Sequence, residues 1–292
     1  MRGAVIALAL ALAAGGARAN GPHDAETRAI AKDFVQTLFV QHDVKRAYGK
    51  YMTADFIQHN PEIKNGLAGD DEFLEGRRER EPEKYLPVEQ WRDVIDHVMV
   101  DDKYFAVHHH VYTSPTDRGR VFLDIWRVEN GKLVEHWDVI QPVPEKTASG
   151  NPMWGDLVKP MAPARGDPSP EAVVRGYIQV GLMEHRPRDA AEQYLHPNVR
   201  QHSPTIADGK QAALQYFASR YPGAEAKQRT SAVSHIIVDG DLVLVHRHVT
   251  TGPGDRGTMY ADLFRVQKGK IVEHWDVIQP VPPTSVNGNT MW

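Results

Sequence analysis

The side chains of this chain best suited to moving protons form one set given twice. His97, His108, His110, Asp124, Arg127, His136 and Asp138 recur in the same order and spacing as His235, His246, His248, Asp262, Arg265, His274 and Asp276. Imidazole titrates near neutrality, and a carboxyl placed in an apolar cavity is pushed toward the same range. Histidines and aspartates gathered in one cavity therefore suit proton abstraction and return at neutral pH. The chain has no cysteine, which excludes disulfides, thiol nucleophiles, zinc–thiolate centres and lipidation at a cysteine.

The matched sets belong to a tandem repeat. The string Val-Glu-His-Trp-Asp-Val-Ile-Gln-Pro-Val-Pro runs from Val134 to Pro144 and again from Val272 to Pro282. Each copy follows a Gly-Lys pair, Gly131-Lys132 or Gly269-Lys270, and leads to a Gly-Asn-x-Met-Trp tail ending at Trp154 or Trp292. Asp93–Trp154 aligns with Ser231–Trp292 without a gap; this polar set is kept while nearby apolar positions such as Leu123/Ala261 and Tyr104/Leu242 have drifted. A unit of one small domain is duplicated, and two working pockets are expected, with preferences set apart by changes such as Leu123 to Ala261 and Trp126 to Phe264.

The elements that must position these groups follow from periodicity. Asp24 to about Val40 has the apolar spacing of an amphipathic helix, and the second copy opens alike, with Ser169 before Pro170 and an apolar stripe of Val173, Val174, Tyr177 and Ile178. A second short helix then leads to Gln58-His59-Asn60-Pro61 or Gln201-His202-Ser203-Pro204, where proline ends the helical reading. The next stretch, charged from Asp70 to Lys84 and about five residues longer in the first copy, is expected to be helix and loop. Strands are expected at about Asp93–Val100, Tyr104–Thr113, Val121–Val128 and Leu133–Ile140, separated by turns such as Asn130-Gly131 and Asp239-Gly240-Asp241. Helices followed by an antiparallel meander give an α+β order in each copy. Gly155–Ser169, with Pro160, Pro163 and Pro168, reads as the linker between domains at 20–154 and 170–292.

Strand alternation decides which polar groups share a face. His136, Asp138 and Ile140 point one way, and Glu135, Trp137 and Val139 the other; Phe122, Asp124, Trp126 and Val128 form a face repeated as Tyr260, Asp262, Phe264 and Val266. A carboxylate among aromatics is costly to bury unpaired. His108 and His110 share a face, as do His246 and His248. A curved sheet wrapped on a helix is expected to bring these, with His59 or His202 from the Gln-His-x-Pro loop, into one cavity. The same His-x-His pair with His59 and an aspartate leaves a metal-dependent reading open, and full pairing of the carboxylates would favour a non-catalytic binder. Trp137 and Trp275 read as core or interface packing, the Gly-Asn-x-Met-Trp tails as segments packed on the sheets, and Arg127 and Arg265 as partners of outer-face carboxylates.

Composition narrows the partners. A net charge of −4 and no basic cluster beside aromatics argue against nucleic acid. Met1–Ala19 reads as a signal peptide: Arg2, an apolar run from Ala4 to Ala14, and a small-x-small site at Ala17-Arg18-Ala19. The expected mature chain starts at Asn20 and is periplasmic or secreted, without a membrane anchor.

The run of Gln-His-Asn-Pro, His-x-His, Asp-x-x-Arg-Val, Gly-Lys-x-Val-Glu-His-Trp-Asp-Val-Ile-Gln-Pro-Val-Pro and Gly-Asn-x-Met-Trp resembles the SnoaL-like polyketide cyclases of the NTF2-like superfamily, over nearly all the expected mature chain and twice. The His-Trp-Asp-Val-Ile-Gln-Pro block resembles that of a subgroup often labelled as aldol-condensation-catalysing. The resemblance implies two cone-shaped α+β domains with deep apolar pockets, packed as an internal pseudo-dimer. It also implies acid/base catalysis without a cofactor on a small, largely apolar substrate, of aldol, retro-aldol, lyase or isomerase type. The family's essential aspartate falls on Asp138 and Asp276, and its partner histidine on His136 and His274. His59, His108, His110, Asp124 and Trp126, with His202, His246, His248, Asp262 and Phe264, are the expected substrate contacts.

Overall fold

The computed structural model describes residues 21–69, 87, 90–114, 116–220 and 229–292; the expected signal peptide and the charged stretch from Asp70 to Lys84 lie outside them. In the first domain α1 (Asp24–Val35) runs into a π-helical turn at Gln36–Val40, then α2 (Val44–Tyr51) and five strands, β1 (Met52–Gln58), β2 (Arg92–Asp101), β3 (Tyr104–Tyr112), β4 (Arg120–Glu129) and β5 (Lys132–Pro142). The second repeats this with α3 (Pro170–Ile178), a π-helical turn at Gln179–Met183, α4 (Pro187–Tyr194), β6 (Leu195–Gln201), α5 (Lys210–Arg220), β7 (Thr230–Asp239), β8 (Leu242–Thr250), β9 (Thr258–Gln267) and β10 (Lys270–Pro280). The α+β order expected from the sequence is the observed one.

Local chemistry sets the boundaries. Ser169 caps α3, its side chain accepting from the Ala172 N–H at 3.2 Å, and Pro170 takes the first position, where a missing N–H costs nothing. Asn130 and Gly131 both hold positive φ (50° and 73°), the turn that matches strand twist, so the β4–β5 hairpin closes tightly from Glu129 to Lys132. The segment after α2 corrects the sequence reading. Met52–Gln58 is a strand, parallel to β5 with Gln58 opposite His136, and β6 does the same with Gln201 opposite His274. A parallel partner far away in sequence leaves no local signal.

The sheets run β1-β5-β4-β3-β2 and β6-β10-β9-β8-β7. Each has two faces with different fates. The concave face of the first packs on the helices through Phe34, Phe105, Val107, Trp126 and Leu133, and that of the second through Val174, Val243, Val245, Phe264 and Ile271. The convex faces pack on each other: Leu123, Ile125, Trp137 and Val139 form one apolar core with Leu244, Leu263, Trp275 and Val277. Two crossed pairs of bonds mark the pseudo-twofold relation. Ile140 N donates to Gln279 and Ile278 N to Gln141, both at 2.8 Å, while Val100 N donates to Asp239 and Val238 N to Asp101.

Candidate active site

The inward positions of β3, β4 and β5 in the first domain present His109, Asp124, Trp126, His136 and Asp138 to a cavity of about 460 Å³ roofed by Leu38, Phe39 and Tyr48. The second domain has a cavity of about 110 Å³ lined by Arg247, Asp262, Phe264, His274 and Asp276. A single water needs only ~10–15 Å³, so each cavity has room for more than one.

In the first cavity a chain of hydrogen bonds links Gln58, Asn60, His136, Asp124, His109 and Asp93. Asn60 N donates to Gln58 Oε1 at 2.9 Å, which identifies that atom as an acceptor, and His136 Nδ1 donates to the same oxygen at 2.8 Å. His136 Nε2 then shares a proton with Asp124 Oδ1 at 3.0 Å. The other Asp124 oxygen takes His109 Nε2 at 2.6 Å, and His109 Nδ1 reaches Asp93 at 3.1 Å. Asp138 lies directly across the strand pair from Asp124. Its Oδ2 accepts from Asn60 Nδ2 at 2.6 Å, and its Oδ1 is buried without a partner.

Two facing carboxyls are thereby driven apart. Burial pushes Asp138 up to about 6, reinforced by the charge of Asp124 and only partly offset by His136 and the Asn60 amide. Burial would raise Asp124 too, but the hydrogen bonds from His109 and His136 outweigh it and its carboxyl is held low. Burial disfavours the charged form of His109, yet Asp124 and Asp93 on its two nitrogens overcome this and raise it to about 9. One carboxylate stays fixed as a charge and its neighbour titrates near neutrality, the separation of roles that acid/base sites use. Trp126 stacks on His136 at 4.8 Å and holds its plane.

The second site repeats the frame with altered parts. His274 bonds Gln201 Oε1 at 2.9 Å and Asp262 at 3.2 Å, and Phe264 stacks on its ring. Asp276 faces Asp262, is pushed up to about 6 by burial, and again has an unpartnered buried Oδ1. Ser203 replaces Asn60 as its partner. Arg247 replaces His109, its Nε donating to Asp262 at 2.7 Å.

The structure brings together Asp124, Trp126, His136 and Asp138, and Asp262, Phe264, His274 and Asp276, as the sequence suggests. It separates the remaining expected contacts, which need correction. His108 and His246 point to the convex face, where each meets its own domain's His97 or His235, Nδ1 to Nδ1, at 3.1 and 3.2 Å. His110 and His248 stack on Trp154 and Trp292, each at 3.8 Å, and contact the carbonyls of Arg118 and Arg256. Gly119 and Gly257 are required beneath them: both have positive φ, and an added Cβ would lie 2.6 and 2.2 Å from the imidazole. His59 and His202 leave the cavity as well, stacking on Trp137 and Trp275 and bonding Glu135 and Glu273. Leu123 and Ala261 belong to the interdomain core rather than to a pocket wall. In a strand a shift of one position reverses the face, so it is His109, between the two chosen histidines, that reaches the cavity. Sequence reading also missed Gln58, Asn60, Gln201 and Ser203, whose signal was the strand hidden before the Gln-His-x-Pro loop, and His42 and His185, which line the cavities from left-handed backbone (φ 56° and 55°).

The expected metal set, His59 with His108 and His110, does not converge. Asp124, His136 and Asp138 do offer ligand atoms within 4.8 Å of one another, as do Asp262, His274 and Asp276. A cation there would have to displace the proton between each histidine and its aspartate.

The SnoaL-like domain family matches residues 31–136 and 174–274. No curated protein matches the chain. Among solved structures it is similar to a protein provisionally assigned as a ketosteroid isomerase from Kribbella flavida DSM 17836, at 17% identity over 49% of this chain and 93% of that one, TM-score 0.33. A protein provisionally assigned as a SnoaL-like polyketide cyclase from Jannaschia sp. CCS1 matches at 13% identity over 42% and 91%, TM-score 0.32. An NTF2-like protein of unknown function from Burkholderia xenovorans LB400 matches at 17% over 41% and 88%, TM-score 0.33.

Proposed function

The chain belongs to the SnoaL-like domain family, and we propose that it is an exported enzyme whose two cavities perform acid/base chemistry without a cofactor, of aldol, retro-aldol, lyase or isomerase type, on small, largely apolar or aromatic substrates. The observation that carries this is the pair of facing carboxyls in each cavity, one held low and one raised to about 6 with a bare oxygen. Asp138 or Asp276 takes a proton from the carbon beside a carbonyl; the C–H electrons pass to the carbonyl oxygen, giving an enolate. His136 or His274, holding a proton against Asp124 or Asp262, stabilises the developing charge. Return of the proton at another carbon isomerises the substrate, while attack on a second carbonyl or release of one gives aldol or retro-aldol outcomes. Export rests on the Met1–Ala19 pattern, and N-terminal sequencing from the native host should begin at Asn20; recovery of the Met1 form from the cytosol would overturn it.

The test is exchange of α-protons for solvent deuterium, followed by NMR, on a panel of small aryl and alkyl ketones. Wild-type protein should catalyse exchange on members of the panel. Tight binding with no exchange would replace the enzyme with a carrier of apolar molecules. A stoichiometric metal by elemental analysis, with exchange lost on chelation, would transfer the role to a cation on Asp124, His136 and Asp138.

A further inference from the structure

The two cavity walls differ in how far they satisfy their own polar groups, and we infer that the second domain's cavity takes ketones carrying a further hydroxyl, held by Ser231 and His185, while the first takes ketones without one. This rests on reading both cavities as substrate sites. Two positions carry the difference. One is the histidine that follows each π-helical turn in left-handed backbone, His42 in the first domain and His185 in the second (φ 56° and 55°). The other opens the duplicated block, Asp93 in the first copy and Ser231 in the second. All four residues line their cavities.

In the first domain Asp93 ties this part of the wall together. Its Oδ1 lies 3.1 Å from His109 Nδ1, and its Oδ2 3.6 Å from His42 Nε2. A serine takes its place in the second domain, and its side chain ends one atom sooner. Ser231 Oγ is buried with no partner, and none of the described residues hydrogen-bonds the half-buried His185 imidazole. A buried hydroxyl without a partner costs free energy that a ligand restores by bonding it. A ligand hydroxyl both donates and accepts, so it matches a serine on one side and an imidazole on the other. An anion is a poorer match, because the neighbouring Arg247 already holds Asp262 at 2.7 Å. In the first cavity the same hydroxyl would compete with the histidines for Asp93. The bare Asp276 Oδ1 on β10 is left for the reacting carbon. A site that bonds a substrate hydroxyl discriminates against the analogue lacking it, since its own polar group then stays unpaired.

Isothermal calorimetry on the full chain at neutral pH tests this with matched ketones, 4-(4-hydroxyphenyl)butan-2-one against 4-phenylbutan-2-one and 4-(hydroxymethyl)acetophenone against 4-methylacetophenone. The hydroxyl compound of at least one pair should bind about tenfold more tightly than its partner, at one equivalent per chain. The preference should be lost in Ser231→Ala and in His185→Gly, and kept in His42→Gly. Glycine suits the left-handed backbone at both histidine positions, so these variants keep the fold. Ligand-free Ser231→Ala should melt no lower than wild-type protein, because the hydroxyl it removes has no partner to lose; a clear fall would show that hydroxyl already engaged and would overturn the inference. So would the failure of every hydroxyl compound to bind more tightly than its partner, two equivalents with the same preference, or a preference that survives both Ser231→Ala and His185→Gly. Binding is read without turnover: selectivity without any ketone exchange would sink the acid/base reading alone, and exchange without selectivity would sink only this one.

Discussion

At the scale of single residues the chemistry turns on the opposed carboxyls. Their identity was legible in the sequence because Asp124 and Asp138 each sit two residues from an aromatic or histidine on a strand, where parity fixes the face. What tunes them was not legible, since Gln58, Asn60, His109 and Asp93 arrive from three other strands and a loop. A base of this kind acts when ionised, so turnover should rise with pH through about 6 and level off above it. Asn60 donates to the charged form of Asp138; removing that donor makes ionisation harder. In an Asp276→Asn background, Asn60→Ala should therefore move the acid limb of the rate profile to higher pH. A lower rate with an unmoved limb would show that Asn60 only supports the loop.

At the scale of elements the tails and the histidine pairs matter most, and the histidines were misjudged for one reason. The two copies kept His108/His246 and His110/His248 alike because these serve the shared convex face and its hairpins, whereas the cavity position diverged to His109 and Arg247. Identity between copies thus marked the interface as well as the cavities, where Asp124, His136 and Asp138 recur as Asp262, His274 and Asp276. The tails cross over within that interface. Asn287 Nδ2 donates to the carbonyls of Asn60 and Ile63 at 2.7 and 2.8 Å, and Asn289 Nδ2 to that of Gln58 at 3.0 Å, so the second domain's tail pins the loop that aims Asn60 at Asp138. The first tail returns the favour, with Ser149 and Asn151 on the Gln201 carbonyl, both at 2.9 Å. Asn287→Ala with Asn289→Ala should lower turnover measured in an Asp276→Asn background and spare it in an Asp138→Asn background, while Asn151→Ala should do the opposite; equal effects on both cavities would show general destabilisation instead. The buried histidine pair makes a separate claim. Burial drives His246 down to about 3 and His235 to about 4, so the folded state refuses protons that the unfolded chain accepts below about 6.5. Their contribution to stability is present above that value and lost as pH falls toward the folded values. Between neutral pH and about pH 4 the melting temperature of wild-type protein should drop further than that of His246→Asn; parallel curves would refute the assignment.

At the scale of the whole molecule, duplication was plain from the repeated string, and the α+β order followed from helical and strand periodicity. The back-to-back packing was not plain, because the residues that fill it, Leu123, Ile125, Leu244 and Leu263 among them, alternate with cavity residues along the same strands and carry no mark of which face meets a partner. The result is a molecule with two concave cavities on a common core, each bordered by a strand end that the other domain's tail holds. Its central claim is that Asp138 and Asp276 are independent proton acceptors, and the most direct measurement is the ketone deuterium-exchange rate of wild-type protein, Asp138→Asn, Asp276→Asn and the double variant, with folding checked by circular dichroism. Each single change should leave the other cavity's share of exchange, and the double change should reduce it by about 10²–10⁴-fold. A folded double variant that still exchanges at near the wild-type rate would contradict the account.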